Sequence, residues 1–165
     1  MVPGSRVLFV GINPGVRSAL IGHHFAGYSN RFWKLLHEAG LVPELLRAED
    51  DGRLMEFGYG ITNLVARPTP GIDTLRREEF AAGLHVLRRK VRRWQPDIVA
   101  CVGVTVYRFI FAVPTSRRVA VGLQDERFEG ARVFVLPNPS GRNANFSYAE
   151  MLSAFRRLAR SQKSL

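Results

Sequence analysis

Val7-Leu8-Phe9-Val10-Gly11-Ile12-Asn13-Pro14-Gly15 decides how this chain reads. An apolar run of strand length ends in a tight loop flanked by two glycines, with a single amide side chain at its centre. In an open α/β sheet, ligands bind where strands end at their carboxyl edge. Pro14 fixes one backbone angle, and glycines on either side permit turns and close approach that other residues resist. Asn13 is therefore presented rigidly. The alternative is an ordinary strand-to-loop turn carrying an Asx hydrogen bond.

Working outward, apolar periodicity marks alternating strands and helices. Arg6–Val10 reads as a buried strand. Asn30–Ala39 reads as a helix with Phe32, Leu35, Leu36 and Ala39 on one face, capped by Ser29 or Asn30. Tyr59–Leu64 is a second strand. Phe80, Leu84, Leu87, Val91 and Trp94 line a longer helix, which Asp73 or Thr74 would cap and Pro96 would end. Ile98–Val102 is a buried strand, Gly103 a turn and Thr105–Phe111 a short helix. Val119–Val121 and Val133–Leu136 read as further strands. Ser147 and Glu150 form a capping box for a last helix that buries Met151, Leu152, Phe155 and Leu158. The polar stretch Pro43–Phe57 reads as a surface excursion, and Ser161–Leu165 as a fraying end. Such alternation predicts one domain over residues 1–165. Its fold is three-layer α/β/α, with a central, mostly parallel sheet of four to five strands.

Composition narrows the partner. The 165 residues carry 24 Lys+Arg against 14 Asp+Glu, a formal net charge of +10. A basic balance of this size favours a polyanion, nucleic acid above all. The lone cysteine, Cys101, sits in an apolar run and reads as a buried structural thiol. No Cys/His set has metal-ligand spacing, so no metal is expected. The N-terminus lacks a charged segment leading into a cleavable apolar stretch, and Arg108 interrupts the best apolar run. These features predict no membrane association and a cytoplasmic protein, nucleoid-associated in a prokaryote.

A second loop follows Val133–Leu136: Pro137-Asn138-Pro139-Ser140-Gly141-Arg142-Asn143-Ala144-Asn145. If the two strands are parallel neighbours, both loops open on one sheet edge around one cleft. Long polar loops are usually functional or disordered.

These loops, together with Gly22-His23-His24-Phe25, Asn30-Arg31-Phe32-Trp33-Lys34 and Arg67-Pro68-Thr69-Pro70-Gly71, resemble in order and spacing the mismatch-specific uracil-DNA glycosylase and thymine-DNA glycosylase family. The resemblance runs over nearly the whole chain. It implies a monofunctional enzyme of base excision repair that flips uracil, or thymine and modified pyrimidines, out of double-stranded DNA at G·U or G·T mismatches. It implies hydrolysis of the glycosidic bond without cofactor by a monomer. No lysine stands at a matched catalytic position, so no lyase step is expected.

The family pattern carries roles onto individual residues. Asn13 matches the asparagine that positions the attacking water. Ile12 and Phe25 lie where backbone donors serve the pyrimidine oxygens, and Gly15 and Ser18 complete the pocket. Phe25 matches the aromatic that stacks on the flipped base; otherwise it is a core phenylalanine. His24 and Asn63 match positions of the thymine-excising branch, and Thr69 lies where a family threonine lines the site. Their plainer readings are a loop histidine, a strand end and a turn hydroxyl.

Asn138, Pro139, Ser140, Gly141, Arg142, Asn143 and Ala144 match the loop that enters the duplex, with Arg142 as wedge or phosphate contact. Arg17, Arg31 and Lys34 are further phosphate candidates. The basic run Arg88–Arg93 reads as a solvated helix face around Val91. Asp73, after the Pro68–Gly71 loop, is either a second catalytic group or a helix cap. His24 and the Arg67–Gly71 loop lean toward the thymine-directed branch, whereas Phe25 and Ser18 do not decide it.

Two rivals remain at this point. One is a non-catalytic mismatch or abasic-site binder on the same fold. The other is a nucleotide-binding protein using Gly11–Gly15 for phosphate, against which stands the absence of a Walker lysine.

Overall fold

The strands Val7–Gly11 (β1), Tyr59–Asn63 (β2), Ile98–Val102 (β3), Gly122–Phe128 (β4) and Ala131–Leu136 (β5) form one sheet in the order β2-β1-β3-β5-β4. The computed structural model describes residues 3–163. β1 pairs in parallel with β2 and β3, and β3 in parallel with β5, so β1 and β5 are parallel but not the neighbours expected, because β3 lies between them; β4 alone runs antiparallel, against β5.

Residue parity explains the layers, because successive strand side chains point to opposite faces. Val7, Phe9, Ile98, Ala100 and Phe134 face the helices Phe32–Glu38 (α2) and Tyr148–Lys163 (α5), packing on Leu35, Leu36, Phe155 and Leu158. Leu8, Val10, Val99, Cys101, Val133 and Val135 face the helices Arg77–Trp94 (α3) and Val104–Phe111 (α4), packing on Leu87, Val91, Val106 and Ile110. The expected three-layer α/β/α architecture is therefore present. Cys101 is fully buried, and burial pushes its thiol up to about 12, which leaves it inert as expected.

Several local expectations are corrected. The strand expected at Val119–Val121 lies instead at Gly122–Phe128. Its exposed Leu123, Asp125, Glu126 and Arg127 hide a strand that occupies the sheet edge, where one side meets water. The turn at Glu129-Gly130, with φ of 48° and 84°, is of the type that joins such hairpins. A short helix, Val16–Ile21 (α1), follows the first loop and had no apolar period to announce it.

α3 begins later than Asp73 or Thr74 would place it. The Glu79 carboxylate accepts the Arg76 N–H at 2.7 Å and caps the helix from within. α2 begins at Phe32, and Asn30 Oδ1 accepts the Phe32 N–H at 3.0 Å. The surface excursion expected over Pro43–Phe57 does lie at the surface, but its residues 48–57 form a 3₁₀ segment (Ala48–Phe57), pinned by Leu46 and Leu54, both at most 2% exposed. Of the expected fraying end, Ser161–Lys163 are helical, and residues 164 and 165 lie outside the described residues. The Ser147–Glu150 capping box is formed, with reciprocal bonds of 2.9 and 3.1 Å.

The basic run on α3 is also not simply solvated. Arg88 and Arg92 pair with Glu129, and Lys90 reaches the Thr62 hydroxyl at 2.7 Å, where burial lowers its pKa.

One contact fixes how α3 meets β2. A Cβ on Gly83 would lie 1.8 Å from the Leu64 carbonyl oxygen, so the helix rests on the backbone just past the strand end. No other residue type fits there without moving one of the two.

Candidate active site

β1, β2, β3 and β5 all point the same way, so the segments after Gly11, Asn63, Val102 and Leu136 emerge at one edge. They enclose a cavity of about 230 Å³. Its walls include Ile12, Asn13, Gly15, Ser18, His24, Phe25, Asn63 and Asn138. Drug-sized pockets run to about 300–1,000 Å³, so this one suits a single small ring. Sequence reasoning assigned all eight of those residues to the site, and the fold brings them together.

Asn13 is the best-defined side chain. Its Nδ2 donates to the Arg67 carbonyl at 2.9 Å and to Thr69 Oγ1 at 2.8 Å. Thr69 Oγ1 spends its own proton on the Gly71 carbonyl, so toward Asn13 it can only accept. Both partners being acceptors, the amide has one orientation. Its Oδ1 has no donor among the described residues and is left as an open acceptor. Arg67 is itself clamped to Glu79 through bonds of 2.6 and 3.0 Å and donates to the Thr74 carbonyl at 2.7 Å. That clamp pulls the Glu79 carboxyl down to about 2, chiefly through the hydrogen bond from Arg67, with the Arg76 N–H second.

Thr69 is buried and does not line the cavity; it holds Asn13 from behind. Asp73 is exposed, one residue beyond Ile72 on the rim, and neither lines the cavity nor caps α3. The cap half of its expected roles is thus replaced by Glu79.

Phe25 sits at φ 50°, a left-handed conformation unusual for a bulky residue. Its ring lies against Phe32 with centroids 4.2 Å apart, and it also borders the cavity. The residues around it are tied down by side chains. Asp51 accepts the His24 N–H at 2.9 Å, and Trp33 Nε1 donates to the His24 carbonyl at 3.2 Å. Ser18 Oγ accepts the Ala26 N–H at 3.0 Å, and Arg17 Nε donates to the Ala26 carbonyl at 2.9 Å. Burial lowers the His24 pKa, partly opposed by Asp51, so the imidazole facing the cavity is neutral at pH 7. The Asn63 side chain, also on the wall, has no hydrogen-bond partner among the described residues.

The second loop is docked at its base and open at its tip. Asn30 and Ser140 form an isolated antiparallel bridge. Arg31 N–H donates to the Pro139 carbonyl and Gly141 N–H to the Ser29 carbonyl, each at 2.9 Å. A Cβ on Gly141 would fall 2.7 Å from that Ser29 oxygen, so the approach requires glycine. Asn138 Oδ1 accepts the Ser140 N–H, Asn143 Nδ2 donates to the Asn138 carbonyl, and Ser140 Oγ accepts the Arg142 N–H. Arg142 and Ala144 are exposed, and the Arg142 guanidinium has no partner among the described residues. Of the phosphate candidates, Lys34 and Arg31 flank the Tyr148 ring at 4.8 and 5.6 Å, while Arg17 is committed to Ala26 and to the Tyr28 ring at 4.0 Å.

Sequence reasoning missed Asp51, Trp33 and the Arg67–Glu79 clamp. The first two act on residues 9 to 27 positions away and left no local signal. The helical register of Glu79 carried only the usual marks of a first-turn acid. Among the described residues, no group of three or more His, Cys, Asp or Glu could hold a metal, and no helix is long and apolar enough to cross a membrane.

A mostly parallel sheet whose carboxyl edge carries a small cavity, a braced amide with one open acceptor and a docked polar loop defines an α/β protein with its candidate site at that edge. The chain matches the uracil DNA glycosylase superfamily over residues 1–159 and belongs to it. Its function is accordingly of the DNA glycosylase type, with DNA as the partner and DNA repair as the setting.

Proposed function

We propose that the chain is a monofunctional, monomeric, cytoplasmic pyrimidine-DNA glycosylase acting on uracil, and on thymine or modified pyrimidines, in G·U and G·T mismatched duplexes. The observation that carries the reading is the Asn13 amide, fixed by two acceptors with Oδ1 open beside a cavity for one ring.

The chemistry follows from what that group can do. Extruding the nucleotide costs a few kcal/mol of stacking and pairing, least at a mismatch. With the base against Phe25 and its polar edge toward Asn63, the sugar C1′ faces Asn13. Oδ1 accepts a hydrogen bond from a water and aims its oxygen at C1′. The C1′–N1 bond breaks with its electron pair staying on the base, the water oxygen bonds to C1′, and the water's proton neutralises the departing base. An amide is no base, but a dissociative reaction asks for positioning more than proton abstraction. The Phe25 N–H, which has no acceptor among the described residues, is a donor available to a pyrimidine oxygen. Arg142 would fill the vacated stack or meet a phosphate.

The test uses labelled duplexes with G·U, G·T, A·U or no mismatch, treated with wild type or Asn13→Ala and then with alkali. Cleavage at G·U that disappears in Asn13→Ala is the expected result. A folded wild type that binds these duplexes and cleaves none would instead be a non-catalytic binder. Retained cleavage by Asn13→Ala would move the catalytic role to Asp73.

A further inference from the structure

The segment His24-Phe25-Ala26 is held by four side chains from three separate stretches, and of its three residues Phe25 alone has an N–H with no acceptor among the described residues. Three of the holders, Arg17, Ser18 and Trp33, lie within nine positions of their partners. The fourth comes from elsewhere. Asp51 projects from the 3₁₀ segment, with its side chain 18% exposed. One carboxylate oxygen accepts the His24 N–H at 2.9 Å, and the other meets His23 Nδ1 at 3.2 Å. It therefore grips two successive residues just before the left-handed Phe25. A left-handed backbone at a bulky residue persists only where its surroundings over-determine it.

We infer that Asp51 is a positioning residue of the base pocket: its two-oxygen grip on His23 and His24 holds Phe25 in the left-handed conformation that presents the ring and open N–H to the flipped base. The inference rests on the glycosylase reading for its kinetic consequence, and on geometry alone for its structural one. Asp51 does not line the cavity. Its 3₁₀ segment is anchored by Leu46 and Leu54, so the grip is transmitted from the core to the pocket wall.

The two oxygens distinguish this from general support. In Asp51→Asn, Oδ1 still accepts the His24 N–H and Nδ2 can donate to His23 Nδ1; in Asp51→Ala both contacts vanish. Single-turnover cleavage of a G·U duplex at saturating enzyme is expected to slow about tenfold or more in Asp51→Ala, and to recover most of that in Asp51→Asn. Affinity for a duplex carrying an abasic site, which has no base to meet Phe25, should stay within about threefold of wild type. The Phe25 amide resonance of ¹⁵N-labelled protein should move in Asp51→Ala and return toward wild type in Asp51→Asn.

A cleavage rate in Asp51→Ala within about twofold of wild type would overturn the inference. So would equal losses of rate and melting temperature in both variants, which would mark a plain structural contact. If wild type cleaves nothing, the glycosylase reading fails by itself; an unmoved Phe25 amide in Asp51→Ala would then separately overturn the grip.

Discussion

The loops at residues 11–15 and 137–145 leave the same edge of the same sheet, yet they are held in opposite ways. The first is braced at its central side chain: both Asn13 amide protons are engaged, one partner is itself spent on Gly71, and the segment behind is clamped to α3 through Glu79. The second is fixed at its base by the Asn30–Ser140 bridge and by bonds among its own amides, while the Arg142 guanidinium at its tip has no partner among the described residues. A group that must aim a water within a fraction of an ångström needs bracing at the atom. A group that must follow a duplex as it opens needs an anchored base and a movable end.

The contrast breaks first at Asn13. Asn13→Ala is expected to lower the single-turnover rate by about 10²–10³ while leaving affinity for a mismatched duplex within a few-fold, read by quench-flow and by fluorescence anisotropy. Next is the brace itself. Thr69→Val keeps the shape but removes the acceptor, leaving an amide proton unpaired at a cost of about 1–3 kcal/mol. A roughly tenfold fall in rate with unchanged KM is expected, and a fall in affinity alone would show the threonine serving the DNA instead.

The free tip should behave differently. Arg142→Ala is expected to weaken duplex binding several-fold and reduce the slope of log affinity against log salt by about 1, with a smaller effect on cleavage of bound substrate. A variant that binds normally and cleaves slowly would place Arg142 with the braced group.

The smallest expected effect is a pH term. The folded-state pKa of His24 is lowered by burial, so the unfolded chain takes up its proton first as pH falls. The stability due to neutral His24 is present above about 6.5 and declines as pH drops toward the folded value. Melting temperatures of wild type and His24→Gln should converge between pH 7 and pH 5. Parallel curves would show that His24 titrates as it does in water.

These predictions also mark what could be learned before the fold was known. Val7–Val10, Ile98–Val102 and Val133–Leu136 are apolar on both faces, as buried parallel strands must be; that the two loops share an edge was legible only on the condition that their strands were parallel neighbours, and they are parallel with β3 between them. Phe80, Leu87 and Val91 announced α3 by their spacing. β4 escaped because an edge strand with Gln124, Asp125, Glu126 and Arg127 has no apolar face long enough to register. Asn13 and the 137–145 loop were legible from local glycine and proline punctuation, whereas Ser18, His24, Phe25 and Asn63 were legible only through the family resemblance. Their bracing was not, because Thr69 reaches Asn13 across 56 positions and Asp51 reaches His24 across 27. Asp73 shows the converse: proximity in sequence to a functional loop left it on the outer rim.

Gly83 carries a consequence for how this chain tolerates change. It sits on the far side of the sheet from Phe25, inside an amphipathic helix, where an alanine would ordinarily favour folding. Here an added methyl would strike the Leu64 carbonyl, and the backbone it pushes leads within a few residues to Arg67 and Thr69, the two acceptors that orient Asn13. The position is therefore a hidden point of mutational fragility. A substitution chosen to stabilise the helix would be felt in the aim of an amide that it never touches.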